Sequence, residues 1–345
     1  ASFQLGRQSR DNQPLLATSA LGLQTAGVAS DSVQRLVDIL EVNGVPMAGP
    51  LRPDRVSDNG SLLGTFDLSP PSSSSGQSYH LTLNGNWRRQ SPVGGGPTQF
   101  ASASGDRYNW GGGVQARHSG YFKLVLSETS VGFNVSRDDG DPYLQLPAGR
   151  VRVTSTLPDG GNGVQTLVSG GNQGLSSFSR GSSSTIQNTL SWFDDANKHR
   201  LKLTTEMAYR GGTATRASNL LGTFIFNSLE DLEAGRPASF SRTLRVNERS
   251  SGVVATSISL GDSYRRTEDL QIQYGARVDM TRYTVKPQYN AAVEAAFGRR
   301  NDVVPTPVAV SPRIGFSWTV GESEEIAAFT GAAARPRAGI RGGGG

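Results

Sequence analysis

The sequence predicts an all-β protein: an antiparallel up-and-down transmembrane β-barrel, present in part as about nine or ten strands, with long extracellular loops carrying short helices. Three observations predict it. Nearly all the periodicity along the chain has period two. The connections between those segments alternate short and long. Aromatic residues sit at the ends of the best-formed strands: Tyr79 and Trp87, Trp192, Tyr209, Tyr264, Tyr283 and Trp318.

In chain order, the first regular element is a helix. Asp31 is an N-cap candidate, Val33, Leu36, Val37 and Leu40 share a face, and Asn43-Gly44 ends the pattern. A weak strand over Leu62–Leu68 precedes the clean alternation of Tyr79, Leu81, Leu83, Gly85 and Trp87 against His80, Thr82, Asn84 and Asn86. Weaker strands follow at Val114–Val125, Thr129–Ser136 and Ser184–Phe193. In Arg200–Arg210 one face is Leu201, Leu203, Thr205, Met207 and Tyr209. After a short helix at Leu229–Ala234 come a strand at Gly252–Ser263 and the alternating Leu270–Met280. A helix at Asn290–Phe297 then leads to Ile314, Phe316, Trp318 and Val320.

The connections discriminate better than the strands. Residues 69–77, 126–128, 194–199, 264–268 and 321–325 are short; 89–113, 137–183, 211–251 and 282–313 are long. In a meander all short connections fall at one end of the sheet and all long ones at the other. Outer-membrane barrels have that asymmetry, with short periplasmic turns and long extracellular loops. Repeated long loops in a compact soluble domain would need a functional reason. The eight steps from Tyr79 to Trp87 span about 26 Å, or about 20 Å when tilted near 40°, close to the apolar band between aromatic girdles. Turn spacing is also too irregular for an immunoglobulin-like sandwich. On this reading Leu81, Leu83, Leu201, Leu203, Ile272, Tyr274, Ile314 and Phe316 point to lipid, and Lys202, Glu206, Arg277 and Asp279 point inward.

Composition alone would suggest a soluble protein: 35% of the 345 residues are hydrophobic and 43 are glycine, with mean hydropathy −0.38. Alternation changes that reading, because a barrel wall needs apolar residues only at every second strand position. No stretch reaches the roughly 18 apolar residues of a membrane-spanning helix. The start, Ala1–Arg7, has no charged leader before an apolar run, so no signal peptide is expected. The absence of cysteine excludes disulfides, cysteine-ligated zinc, iron–sulfur clusters and thiol catalysis. The three histidines, His80, His118 and His199, are far apart, and no multi-histidine metal site is expected. Net charge is +5 and scattered rather than blocked, so nucleic acid is not an expected partner.

No catalytic constellation emerges. There is no Gly-x-Ser-x-Gly elbow, and no enzyme activity or cofactor is expected. Asp138, Asp139 and Asp141 gather in Ser136–Pro142 at the mouth of a long loop; they lack an EF-hand pattern and read as a solvated turn, with a cation site the alternative. Glycines at 94–96, 111–113 and 170–174 read as flexible loop tips.

Phe226–Leu244, Leu270–Asp279 and Ser311–Trp318 resemble the barrel region of TonB-dependent outer-membrane receptors, especially the large ones that often carry a carboxypeptidase-regulatory-like domain. The likeness is strongest over residues 180–320. Residues 7–28 and the helix after them resemble an outer loop of the same group. The resemblance implies energised uptake of a scarce ligand, with outer-membrane lipid, a plug domain, the TonB complex and an unidentified ligand as partners. It also implies a barrel of about 22 strands. No TonB box, plug or aromatic-terminated closing strand is found, so residues 1–345 read as an internal segment of one barrel domain. A soluble secreted or surface β module for binding or adhesion, and more weakly a passive pore, are the competing readings.

Overall fold

The computed structural model describes all residues except 48–51, 72–75, 159, 176, 195, 197, 217 and 323–335. Fifteen strands and four α-helices follow in chain order: β1 (Ser2–Asp11), α1 (Ala20–Thr25), α2 (Ser30–Val42), β2 (Asp54–Leu68), β3 (Ser78–Val93), β4 (Gly105–Phe122), β5 (Val125–Pro142), β6 (Ala148–Thr156), β7 (Asn162–Gly170), β8 (Ser177–Phe193), β9 (His199–Arg216), β10 (Thr223–Phe226), α3 (Leu229–Glu233), β11 (Ser239–Ser241), β12 (Asn247–Arg265), β13 (Leu270–Tyr283), α4 (Ala291–Phe297), β14 (Val308–Glu322) and β15 (Pro336–Gly344). Eleven of the strands form one antiparallel meander, β1-β2-β3-β4-β5-β8-β9-β12-β13-β14-β15. The others form a small sheet, β11-β10-β6-β7.

The large sheet is the expected all-β up-and-down wall, with longer strands than the alternation marked. β12 runs 19 residues, about 60 Å at the usual rise, so such strands continue well past an apolar band. The long connections shrink accordingly: 89–113 reduces to residues 94–104 between β3 and β4. Arg7–Asp11, expected in an outer loop, belongs to β1 and pairs with β2 from Asp58 to Asp54. The turn expected at 126–128 lies instead at Lys123-Leu124, where Lys123 takes a positive φ of 58°. The short connections at 194–199 and 321–325 lie partly outside the described residues.

Cross-strand register sorts the side chains into two faces, because directly opposed residues share a face. All eight residues expected to point to lipid share one face. One register line runs Leu83–Val114–Phe133–Ser184–Tyr209 across β3, β4, β5, β8 and β9. Another runs Leu203–Leu260–Ala276–Pro312 across β9, β12, β13 and β14. Lys202, Glu206, Arg277 and Asp279 lie on the opposite face. Among the described residues no second sheet covers the apolar face: Phe66 is 58%, Ile186 52% and Ile314 64% exposed. A sandwich core is thereby excluded for this face.

The buried apolar core lies elsewhere. Leu15, Leu23, Val28, Leu36, Phe100, Val151, Leu167 and Phe226 are among its members, and none belongs to the eleven-stranded sheet. The described residues of three connections at the elaborated end, between β1 and β2, β5 and β8, and β9 and β12, together with 94–104, build a cap of the small sheet and α1–α3. Here α2 does not fold onto a barrel rim as a loop helix would. Its apolar stripe joins the core formed with β6, β7 and α3, and Arg35 reaches Glu230 at 2.7 Å and Glu233 at 2.9 Å. Its N-cap is Ala29 rather than Asp31, whose Oδ1 accepts from the Ser32 amide.

Candidate functional site

Three surfaces position chemistry: the apolar band, the polar wall behind it and the junction between wall and cap. The band has sharp limits. All four tryptophans lie on the apolar face, Trp87 and Trp110 opposed at its cap end and Trp192 and Trp318 at the short-turn end. The Tyr79 and His118 rings meet tilted at 4.7 Å and Tyr264 stacks on His199 at 4.5 Å, also at the short-turn end. Tyr283 ends β13 but belongs to the polar face, opposite Val253.

At and just beyond the row of Trp87 and Trp110 the same face becomes ionic. Arg7 pairs with Asp58 at 2.6 Å, Arg89 lies over the Tyr108 ring, and Arg137, opposite Trp110, reaches one row on to Asp139 at 2.6 Å. The Arg7 guanidinium lowers the Asp58 carboxyl below its ordinary range. Inside the band several polar groups pair with one another. Asn188 donates to Ser127 and Thr129, and buried Asp262 accepts from Tyr274 and pairs with His199 Nδ1 at 2.7 Å. Such pairing lowers the cost of placing polar groups on an apolar face.

The polar wall carries its charges in mid-strand. Arg277 Nε donates to Asp279 at 2.8 Å, and its guanidinium stands 3.8 Å from Glu206 on β9. The third surface, the wall–cap junction, centres on Asp106. Its carboxylate accepts from Ser91 Oγ at 2.5 Å, Tyr143 OH at 2.6 Å, Tyr108 OH at 3.2 Å and Arg89 at 3.3 Å. Burial pushes this carboxyl upward, but the four donors outweigh it and hold it below the ordinary range. The same contact and burial raise the Tyr143 hydroxyl. This network ties the ends of β3, β4 and β5 to the first cap residue after them. Sequence reasoning missed it, because its members are spread from residue 89 to residue 143 and none stands out alone. The β6–β7 hairpin left a signal: Val151 and Val153 alternate with Arg150 and Arg152, then Pro158 and two glycines mark a turn.

Asp138, Asp139 and Asp141 do not form a solvated turn. They continue β5, pairing with Asn109, Tyr108 and Asp106 of β4. Asp138 and Asp139 therefore point to opposite faces, toward Arg107 and Arg137 respectively. No group of three metal-binding side chains occurs among the described residues. Gly111–Gly113 are likewise strand residues rather than loop tips. A Cβ on Gly113 would lie 2.0 Å from Asn134 Oδ1 and 2.7 Å from the Phe133 carbonyl.

No family model and no curated protein matches the chain. Among solved structures it is similar to the outer membrane transporter YddB from Escherichia coli, at 14% identity and a TM-score of 0.46. The match covers 77% of this chain and 30% of that one, so the chain spans under a third of the transporter. A likeness at this level carries no functional weight, and the fold rests on the strand order itself. No helix among the described residues is long and apolar enough to cross a membrane, which leaves crossing by strands open.

Proposed function

We propose that residues 1–345 supply lipid-facing wall, lumen lining and outer loops of an outer-membrane transport barrel. One observation carries this reading: an eleven-stranded sheet exposes a predominantly apolar face, bounded by tryptophans at both ends, while its own strands contribute nothing to the buried apolar core. Exposed apolar surface beyond a few hundred Å² marks an interaction surface, and an alternating band limited by aromatic rows fits lipid. The polar face then lines a lumen, and the cap stands on the extracellular side.

The sequence resemblance to TonB-dependent receptors supports the finer reading, energised uptake of a scarce ligand. Plug, TonB complex and outer-membrane lipid are the partners in that scheme. Membrane fractionation of the full-length native protein tests the coarse proposal: it is expected in the outer-membrane fraction and to need detergent for extraction. Recovery as a folded soluble protein would refute it. Uptake that stops on collapse of the proton-motive force supports the energised reading; uptake that continues unchanged identifies a passive pore.

A further inference from the structure

On the polar face of β9, β12, β13 and β14 lies a groove of about 1310 Å³. Two glycines open the middle of its floor. Register sets Lys202, Gly261, Gly275 and Arg313 side by side on four neighbouring strands, so two glycines separate two cations. The adjacent row toward the short turns is Arg200, Ser263, Gln273 and Gly315, with Arg265 beginning the row beyond. Lys202 and Arg313 stand three strand spacings apart, about 14 Å.

Arg277, on the other side of the groove, has its own counter-ions in Asp279 and Glu206. Among the described residues no carboxylate pairs with the side chains of Arg200, Lys202, Arg265 or Arg313. Asp262 is close along the chain, but its side chain is on the apolar face and is held by His199 and Tyr274. Arg200 is kept in place by stacking over Phe193 at 5.1 Å. Four cations thus border a stretch of floor in which Gly261 and Gly275 leave the backbone bare and Ser263 and Gln273 add only neutral side chains. The cations repel one another until an anion neutralises them, and guanidinium forks match phosphate and carboxylate oxygens.

We propose that this glycine-floored cradle binds a solute bearing two or more phosphate or carboxylate groups. The inference rests on the polar face being a transport lumen and names the chemical class of solute that this lumen takes. An acidic polypeptide is the competing occupant. The shallow backbone floor favours the small solute, because it leaves room for a compact body between the two cations.

The test is calorimetric titration of the full chain in detergent micelles with tripolyphosphate, citrate, raffinose and a polyglutamate peptide. At least one of the two small anions is expected to bind, with raffinose silent, and which one binds separates phosphate from carboxylate recognition. Removing both Lys202 and Arg313 (Lys202→Ala, Arg313→Ala) is expected to weaken binding about a hundredfold. Gly261→Leu keeps every charge and fills the floor. A Cβ there meets nothing nearer than 3.5 Å, so the strand tolerates it while binding is lost. Arg7→Ala, on the other face, is expected to leave binding unchanged. Silence toward both small anions, binding that survives Gly261→Leu, or binding of polyglutamate alone would overturn the proposal. Chain that folds in water without detergent overturns the barrel reading instead, so the two failures are distinguishable.

Discussion

Leu83→Arg sets lipid against water as the medium outside the large sheet. Leu83 lies midway between Tyr79 and Trp87 on β3, with Gly64 and Val114 as its cross-strand neighbours. At the usual rise and a tilt near 40° it sits about 10 Å from each aromatic row, close to the centre of the band. An arginine at a bilayer midplane costs a barrel about 2–4 kcal/mol. That is roughly a thirtyfold to thousandfold loss in the folding equilibrium. Leu83 is 38% exposed, so on a wetted surface the same arginine would reach water and change stability by only about 0.5 kcal/mol. The adjacent Asn84→Arg faces the polar side and is expected to fall within that smaller range. Guanidinium unfolding of the full chain in phospholipid vesicles, followed by tryptophan emission, measures both. Equal costs for the two substitutions would refute the assignment of faces to lipid and lumen.

Other perturbations test the remaining parts. Asp106→Ala removes the acceptor of four donors and is expected to cost about 3 kcal/mol, seen as earlier proteolysis of the cap. Because the Asp106 carboxyl is held low in the folded chain, its contribution is complete above the ordinary carboxylate range and is lost as pH falls through its folded value. Proteolytic protection of wild-type cap should therefore decline in acid, and an Asp106→Asn chain should show less of that decline. Gly113→Ala is expected to disturb β4–β5 pairing by more than about 2 kcal/mol, and Asn134→Gly should not rescue it fully because the Phe133 carbonyl remains in the way. Gly96→Ala, with open space around it, should be silent. Leu167→Ala, at a fully buried site, is expected to cost about 2–5 kcal/mol and to loosen the cap while circular dichroism of the large sheet is kept.

The wall was legible because its physics is local: a half-buried strand must alternate, and Tyr79–Trp87, Arg200–Arg210 and Leu270–Met280 do so along one segment each. Its limits were not. Beyond the band both faces of a strand carry polar residues and glycine, so Gly105–Asn109 or Gly211–Thr215 carry no apolar alternation and read as loop, although backbone pairing continues through them. Glycine misled for a related reason. Gly111–Gly113 resemble a flexible tip, yet they are required by Asn134 and the Phe133 carbonyl on a strand distant in sequence. The cap was the least legible part, since α2 shows its stripe but not its partner. The junction at Asp106 depends on Ser91 and Tyr143, which only strand pairing brings to one point. The cation cradle was partly visible: Lys202 was placed inward, but the glycine pair between Lys202 and Arg313 exists only once four registers are set.

The cap's assembly from dispersed segments has a kinetic consequence. Arg35 and Glu233 are 198 positions apart along the chain, and Leu15, Phe100, Leu167 and Phe226 enter the same core from four separate excursions. Contacts of such sequence separation form late, because the intervening loops must first be closed. Here the closing is done by strand pairing, so a slip of register anywhere from β1 to β9 would leave the excursions misaligned and the core unfilled. Protection of Leu167 or Phe100 from exchange or cleavage would then report on the whole wall beneath it. The cap therefore records whether the wall beneath it was paired in register.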